Sequence, residues 1–462
     1  MISKFNKDRL FPRFFIFLFV FTGFFSALCA QENDSENILN DIARLLAVND
    51  FPSILQMLDR LESANSENTE LLIIRASILN STGKPAEAKR IANAIIAKES
   101  NNTEALMILA DAAALEGKDR DRRGFLERII AINPNHVRAL NDLGNISLGN
   151  RNLYVAAGYF DRALAADPEN GEALVGRAVV YRYSREQRRS EQLLNKAANL
   201  YPGWARPLHE RARLYRGAGF LEDALLDLDE ARKLEPNNYW IITDRGQVLL
   251  DLGRKQEALE DFNKAIEIDP EIFLSYVFSA GIKNEFGDYT GAERDYAKLA
   301  RLRPDYYFAF EALGMLYMKN KQWAKARDAF LEAYKQAPKE YTYVLLAAVC
   351  WMRAGRQTDP KQFLAQVLRT VPRDTPDYTM IRLFHDLSGD ADVAAKIERE
   401  QNNTNKARML FYLASFYDIR GSRNLADRYY LMVQNLGVNT IIEWHINEWI
   451  LSEKGLGLKA IQ

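Results

Sequence analysis

The stretch RGQVLLDLGRKQEALEDFNKAIEIDP, from Arg245 to Pro270, is one copy of a pattern that recurs along the chain. Its proline belongs to a series with one member every 34 residues. The series comprises Pro134, Pro168, Pro202, Pro236, Pro270, Pro304, Pro338 and Pro372. A strict period of this length is typical of a stacked repeat array, in which each unit packs against its neighbours.

A second series has the same period and consists of small residues, each 24 positions before a proline. It comprises Ala110, Gly144, Ala178, Ala212, Gly246, Ala280, Gly314 and Ala348. Small side chains let two helix backbones approach closely, where a larger side chain would overpack the contact. Bulky apolar residues fill the positions between them at helical spacing. Each unit is therefore predicted to form a helix A, a glycine turn and a helix B that ends before the proline.

This pattern resembles the tetratricopeptide repeat. A second well-matched stretch is FEALGMLYMKNKQWAKARDAFLEAYKQAP, from Phe310 to Pro338. The resemblance implies an all-α fold, a right-handed superhelical solenoid of antiparallel helix pairs closed by a C-terminal capping helix. It also implies a function in binding other proteins, with helix A of each unit lining the inner, concave surface.

The 34-residue register divides the chain into predicted segments. We expect a signal peptide at 1–30, ten repeats at 35–374, an irregular helical hairpin at 375–406, a final repeat at 407–440, and a capping helix with a tail at 441–462. Because no linker-like stretch interrupts the array, it is predicted to be one continuous body.

The N-terminus has the three parts of an export signal. Lys4, Lys7, Arg9 and Arg13 precede an apolar run at 14–25, and small residues follow it. Cleavage after Ala30 is the first expectation, and an uncleaved anchor or lipidation at Cys29 are alternatives. All three place the repeats outside the cytoplasm, in the periplasm or on the envelope. Membrane contact is expected only through this segment, and only where it stays uncleaved or carries a lipid at Cys29.

Charge and composition exclude several classes of function. The whole chain has a formal net charge of −1, which becomes −4 when four basic residues and one acidic residue of 1–30 are removed. Such a chain is not predicted to bind nucleic acid. No catalytic constellation or phosphate-binding loop occurs, so neither an enzyme nor a cofactor is expected. Glu443, His445 and Glu448 are attributed to a surface capping helix rather than a metal site. Cys350 is predicted to be a buried apolar residue.

Two sets of helix A residues are predicted to bind partners on the concave surface. The basic set, suited to an acidic peptide or a carboxylate, comprises Arg182, Tyr183, Arg206, His209, Arg213 and Arg216. The apolar set, suited to a partner helix or an extended apolar segment, comprises Val277, Phe278, Phe308, Met315, Met318, Leu345 and Met352. Two alternatives without a role in partner binding stay open. The arginines could belong to a solvated turn, and the apolar residues could contact the next coil of the array.

The repeat register also predicts ion pairs inside units. Asp227 follows Arg211 by 16 positions, and Asp261 follows Arg245 by the same interval. In a helical hairpin this spacing places the two side chains on facing helices. Taken together, the sequence predicts an envelope adaptor or scaffold that binds other proteins. The alternative is a periplasmic binding component for an apolar small molecule or a transporter partner.

Overall fold

The computed structural model describes residues 50–64, 68–356 and 360–457, together with positions 41, 44, 45 and 48. Within these ranges every regular element is a helix, and no strand occurs. The predicted export segment, 1–30, lies outside the described residues. The described chain forms two compact units, one up to Leu234 and one from Glu235 onward.

The first unit consists of helices joined in antiparallel pairs by short turns. They are α1 (Phe51–Ala64), α2 (Thr69–Ser81), α3 (Pro85–Lys98), α4 (Thr103–Leu115), α5 (Asp119–Ile132), α6 (Val137–Gly149), α7 (Leu153–Ala166), α8 (Gly171–Tyr183), α9 (Gln187–Leu200), α10 (Ala205–Ala218) and α11 (Leu221–Leu234). From α2 onward, even-numbered helices are the A helices and odd-numbered helices are the B helices. Within this unit, each A helix packs on its own B helix and on the preceding one.

The second unit continues the same alternation and then departs from it. Its helices are α12 (Tyr239–Asp251), α13 (Lys255–Ile268), α14 (Phe273–Glu285), α15 (Tyr289–Leu302), α16 (Tyr307–Lys319), α17 (Trp323–Gln336), α18 (Tyr341–Arg353), α19 (Lys361–Val367), α20 (Pro376–Asp386), α21 (Asp390–Arg399), α22 (Asn403–Ile419), α23 (Arg423–Leu436) and α24 (Ile442–Glu453). The prediction of an all-α solenoid of helix pairs with a terminal helix is therefore confirmed. The superhelical sense stays a prediction.

Several A helices begin at a capping side chain that recurs with the repeat. Asn68, Asn102, His136, Asn170 and Asn238 each accept a backbone N–H of the first helical turn. A polar side chain at this position satisfies one of the amide groups that a helix leaves unpaired at its start. The end of each B helix and the start of the next A helix are thus both encoded in the few residues around the periodic proline.

Glycines of the A helices, including members of the small-residue series, pack against aromatic rings of the B helices. Phe160 is fully buried, and a Cβ atom added at Gly176 would lie 2.3 Å from its Cε1 atom. A Cβ atom added at Gly144 would lie 2.7 Å from the same atom. Phe160 is therefore held between the A helix of its own repeat and the A helix of the next one. Gly246 and Gly314 approach Phe262 and Phe330 in the same manner.

The turns between A and B helices place a left-handed residue at one fixed position. Glycine occupies it at Gly83, Gly117, Gly219, Gly253, Gly287 and Gly355. Three turns instead carry a basic residue with positive φ: Arg151 (57°), Arg185 (62°) and Lys321 (56°). A residue with a side chain is strained by roughly 1–2 kcal/mol in this conformation. The backbone at these three positions is therefore strained, whereas at the glycine positions it is not.

Both predicted ion pairs are confirmed. Arg211 binds Asp227 with two parallel hydrogen bonds, from Nε to Oδ2 (2.7 Å) and from Nη2 to Oδ1 (2.6 Å). Arg245 Nη1 donates to Asp261 Oδ2 (2.7 Å). Arg211 also donates from Nη1 to Asn195 Oδ1 (2.6 Å), on the preceding B helix. The arginine thus joins an A helix to both of its neighbouring B helices.

The last part of the second unit loses the regular register. Helix α19 is only seven residues long, and α20 and α21 form a hairpin before the repeat pattern returns at α22 and α23. Cys350, on α18, is buried as predicted, and burial raises the pKa of its thiol well above the ordinary value. A thiol held neutral in this way is a poor nucleophile.

Candidate functional site

The basic set lies on α8 and α10, two neighbouring A helices of the first unit. Arg182 and Tyr183 are at the end of α8, and the Arg182 guanidinium lies 4.7 Å from the centre of the Tyr183 ring. Arg206 begins α10, and its guanidinium lies 5.8 Å from the centre of the Trp204 ring. His209 is buried, whereas Arg213 and Arg216 are partly exposed. The structure therefore brings most of this set to one surface.

Two glutamates lie within the same surface and bind three of the arginines. Glu210 receives Arg182 Nη2 on Oε2 (3.1 Å) and Arg213 Nη1 on Oε1 (3.2 Å). Glu172, on α8, pairs with Arg206. The surface is therefore not purely basic, because Glu172 and Glu210 lie among its arginines.

The charge state of Glu210 is fixed by these neighbours. Burial opposes its ionisation, but Arg213 and Arg182 outweigh this effect and lower the pKa of the Glu210 carboxyl. Burial likewise opposes the charge of Arg206, and Glu172 and Glu210 together raise the pKa of its guanidinium. Glu210 is thus ionised at neutral pH and competes with any external anion for Arg182 and Arg213.

The apolar set is divided between surface and core. Phe308 is 49 % exposed and stacks on Tyr307 with ring centres 4.2 Å apart. Phe278 stacks on the buried Phe262 at 4.9 Å. Met318, Leu345 and Met352 are buried in the apolar core of the second unit. Val277 and Met315 are partly buried. A partner-binding role therefore stays a prediction mainly for Phe308, the most exposed member.

The terminal helix α24 contacts the A helices α16 and α18, which carry members of the apolar set. Its Glu443 accepts the hydroxyl of Thr342, at the start of α18, with an oxygen–oxygen distance of 3.0 Å. Its Trp449 ring lies 4.9 Å from the Nζ atom of Lys319, at the end of α16. Positions that line the concave surface in the repeat register thus contact this chain's own last helix.

A buried polar network holds the start of α24 in place. Glu443 is 1 % exposed, and its Oε1 also accepts the Tyr412 hydroxyl (2.8 Å) and Arg408 Nε (3.3 Å) from α22. Arg408 Nη2 reaches Thr342 Oγ1 (2.6 Å) and Asp377 Oδ1 (2.9 Å). Burial and Glu443 raise the pKa of the Tyr412 hydroxyl, which stays protonated and donates.

The end of α24 is tied by a second network. Lys454 Nζ donates to Asp418 Oδ1 (3.0 Å) and to Asp427 Oδ1 (2.7 Å), and Asp418 also binds Arg353. Burial disfavours the charge of Asp418, but Arg353 and Lys454 outweigh it and lower the pKa of its carboxyl. The last helix is therefore attached at both ends by side-chain hydrogen bonds.

Comparisons with known proteins assign the repeats. Two family models described as tetratricopeptide repeat match the chain, one at residues 241–272 and the other at 122–171, 141–203, 285–341 and 311–359. The chain is a tetratricopeptide repeat protein. The matched residues are those that pack one helix pair on the next, and proteins of this repeat family are generally scaffolds for other proteins rather than catalysts.

Among solved structures, similarity to other repeat proteins is partial. Pseudomonas aeruginosa pilF is 21 % identical, with a TM-score of 0.41, covering 45 % of this chain and 94 % of that chain. A tetratricopeptide repeat protein from Parabacteroides merdae is 20 % identical, with a TM-score of 0.43, covering 53 % of this chain and 96 % of that chain. No curated protein matches the sequence.

One detail of the predicted capping helix of this repeat protein is wrong. Glu443 does not lie on the surface with its neighbours but points into the polar network described above, while His445 and Glu448 are exposed. No group of metal-binding side chains converges within the described ranges. Nor does any helix there have the length and apolar character needed to span a membrane.

The sequence analysis missed Glu172 and Glu210 on the surface of α8 and α10 of this tetratricopeptide repeat protein, although a signal for both was present. Glu172 precedes Arg206 by one full period of 34, so the two occupy the same position in neighbouring repeats. Glu210 precedes Arg213 by three residues, which on a helix places them on one face. The contacts of α24 carried no comparable signal, because they join residues as far apart as Thr342 and Glu443.

Proposed function

We propose that this tetratricopeptide repeat protein is an interaction scaffold whose surface on α8 and α10 holds an acidic segment of a partner protein. The observation that supports the proposal is the gathering of Arg182, Arg206, Arg213 and Arg216 on two adjacent A helices. Guanidinium groups bind carboxylates through paired, directional hydrogen bonds. Glu172 and Glu210 of the chain itself lie among them.

The internal glutamates define how a partner would bind. The side chains of Arg206 and Arg213 are each about one-third exposed, so both keep N–H groups accessible while paired with Glu172 and Glu210. An acidic segment would add a second carboxylate to each guanidinium or replace the internal one. Complementary charge of this kind mainly raises the association rate and the specificity, and its effect weakens with salt.

The test is a charge series on the full chain with a fluorescent Asp/Glu-rich peptide, followed by fluorescence anisotropy. Arg213→Gln should weaken binding, because it removes one guanidinium. Glu210→Gln should strengthen binding, because Arg182 and Arg213 lose their internal partner while the side-chain shape is kept. Arg128→Gln, an exposed change on α5 outside this surface, serves as the matched control.

The two glutamine variants discriminate between a binding surface and a structural ion pair. If the network only stabilises the fold, both variants should lower stability, and neither should change peptide affinity. The proposal fails if affinity for the acidic peptide is the same in wild type, Arg213→Gln and Glu210→Gln. It also fails if a Lys-rich peptide binds as tightly as the acidic one.

The setting we propose for this scaffold is the bacterial cell envelope. The support is the N-terminal pattern of basic residues, apolar run and small residues up to Ala30. Fractionation of cells that express the full chain, with mass spectrometry of the mature N-terminus, tests it. A mature chain that starts at Gln31 indicates cleavage, a lipid-modified Cys29 indicates a lipoprotein, and an intact chain in the cytoplasm contradicts the proposal.

The alternative, a site for an apolar small molecule, draws less support. It relied on the late apolar set, and Met318, Leu345 and Met352 of that set are buried against other parts of the second unit. A scaffold with a basic partner surface is therefore the function that the geometry supports best.

A further inference from the structure

The turns between A and B helices of the first unit lie along one edge of the helix stack. Because each A helix packs beside its neighbours in the same direction, their C-terminal ends and the turns that follow share that edge. Two successive turns, at 149–154 and 182–189, contain five arginines and one glutamate. We call their exposed residues Arg151, Tyr154, Tyr183, Arg185 and Arg188 the basic rim.

The arginines of the basic rim stand where the fold prefers glycine. Arg151 and Arg185 occupy the left-handed position that glycine fills in six other turns. A glycine there would avoid the strain of roughly 1–2 kcal/mol that a side chain brings. Strained residues of this kind are often kept for a function rather than for stability.

The side chains of these arginines have no partner among the described residues. Arg151, Arg185 and Arg188 are exposed, and their guanidinium groups form no hydrogen bond or ion pair in the part of the chain that the structure describes. Arg182 and Arg189, in contrast, are paired with Glu210 and Glu186. Three unpaired positive charges therefore project from two adjacent turns.

Exposed aromatic side chains accompany the free arginines. Tyr154 is 89 % exposed and Tyr183 is 59 % exposed, the first and fourth highest values among the large apolar residues described. Tyr154 and Arg188 are one period of 34 apart, so they hold equivalent positions in neighbouring repeats. Exposed tyrosines beside basic groups are the side chains that settle at the boundary between lipid headgroups and water.

From this arrangement we propose that the basic rim is a docking edge for an anionic membrane surface. The free guanidinium groups would bind lipid phosphates, and Tyr154 and Tyr183 would enter the headgroup layer. A row of turns along one edge suits a flat, multivalent anionic surface better than it suits a single peptide, which binds in a groove. This contact shares Tyr183 with the basic set but uses other arginines than the partner surface on α8 and α10, and it extends the membrane contact expected from the N-terminal segment.

The test compares binding of the full chain to vesicles of equal parts phosphatidylglycerol and phosphatidylcholine with binding to pure phosphatidylcholine, by co-sedimentation. The variant Arg151→Gly/Arg185→Gly puts the usual turn residue at both positions, so its fold should be kept or made more stable. A basic residue near an anionic membrane contributes about 1 kcal/mol, about fivefold, so the double variant should bind anionic vesicles about 30-fold more weakly. Tyr154→Ser should weaken binding further.

Lys321→Gly is the matched control. It makes the same change at the same turn position, but Lys321 is paired with Glu453 (3.2 Å) and lies in the second unit. It should leave vesicle binding unchanged. The N-terminal segment is common to all variants, so its own membrane affinity cancels in the ratio of variant to wild type.

Three results would overturn the proposal. The first is equal binding of wild type to anionic and neutral vesicles. The second is equal binding of wild type and the double variant to anionic vesicles. The third is that the double variant binds anionic vesicles like wild type but no longer binds an acidic protein or a nucleic acid. The rim would then be a contact for that class of macromolecule.

Discussion

The close approach of Gly176 to Phe160 makes Gly176→Ala a direct test of how the repeats are joined. Glycine inside a helix normally costs stability, so its replacement by alanine is expected to gain about 1 kcal/mol on helix propensity alone. At Gly176 the new Cβ would lie 2.3 Å from Cε1 and 2.4 Å from Cζ of the Phe160 ring. Atoms cannot approach so closely, and something must move.

The ring has little room to move, since Gly144 packs on it so closely that even a Cβ atom added there would lie 2.7 Å from the ring, and Phe160 is fully buried. Overpacking of a well-filled core costs about 1–3 kcal/mol, and we place this site at the upper end. Subtracting the propensity gain of about 1 kcal/mol leaves a net loss of about 2 kcal/mol. The loss should be concentrated at the contact between α7 and α8.

The assay is urea unfolding followed by circular dichroism, with hydrogen exchange of α7 and α8 to locate the effect. Gly158→Ala is the control, because Gly158 lies in α7 itself and a Cβ there meets nothing within 4 Å. That variant should gain about 1 kcal/mol. Equal gains from Gly176→Ala and Gly158→Ala would refute the idea that the ring is confined between two repeats.

Two further predictions concern charged groups. Arg211→Leu should lower the free energy of unfolding by about 3 kcal/mol, because Asp227 would stay buried without its cation. Urea unfolding measures this loss. The double variant Arg211→Leu/Asp227→Leu should recover much of it, and no recovery would contradict the pairing. Glu210 has a lowered pKa in the folded state, so its contribution is present above its ordinary value of 4.5 and is lost as the pH falls through the folded value. Acidification below that range should therefore destabilise wild type more than Glu210→Gln, and identical pH profiles would argue against it.

The sequence predicted the repeated part of the fold because packing residues recur there at fixed intervals. Gly246 and Pro270 each belong to a series that recurs every 34 residues, so each copy strengthens the inference from the others. The pairing of Arg211 with Asp227 followed from the same register. Local spacing was sufficient because these contacts join a repeat only to itself or to its neighbours.

The candidate site was only partly predictable, for two physical reasons. Exposure depends on what covers a side chain, and Met318 and Leu345 are covered by parts of the chain that lie outside the periodic pattern. Net charge also depends on neighbours, and Glu210 becomes part of the arginine network only when α8 and α10 are packed side by side. A register gives the position of a residue but not its surroundings.

The placement of α24 has a practical consequence for shortened versions of this protein. Ending the chain before Ile442 would leave Arg408 and Tyr412 without the carboxylate that they share, and would expose apolar surface of α16 and α18 to water. Such a truncation removes a helix that packs on earlier repeats of the second unit as well as on the last one. Domain boundaries chosen from the repeat count alone would therefore yield an aggregation-prone fragment.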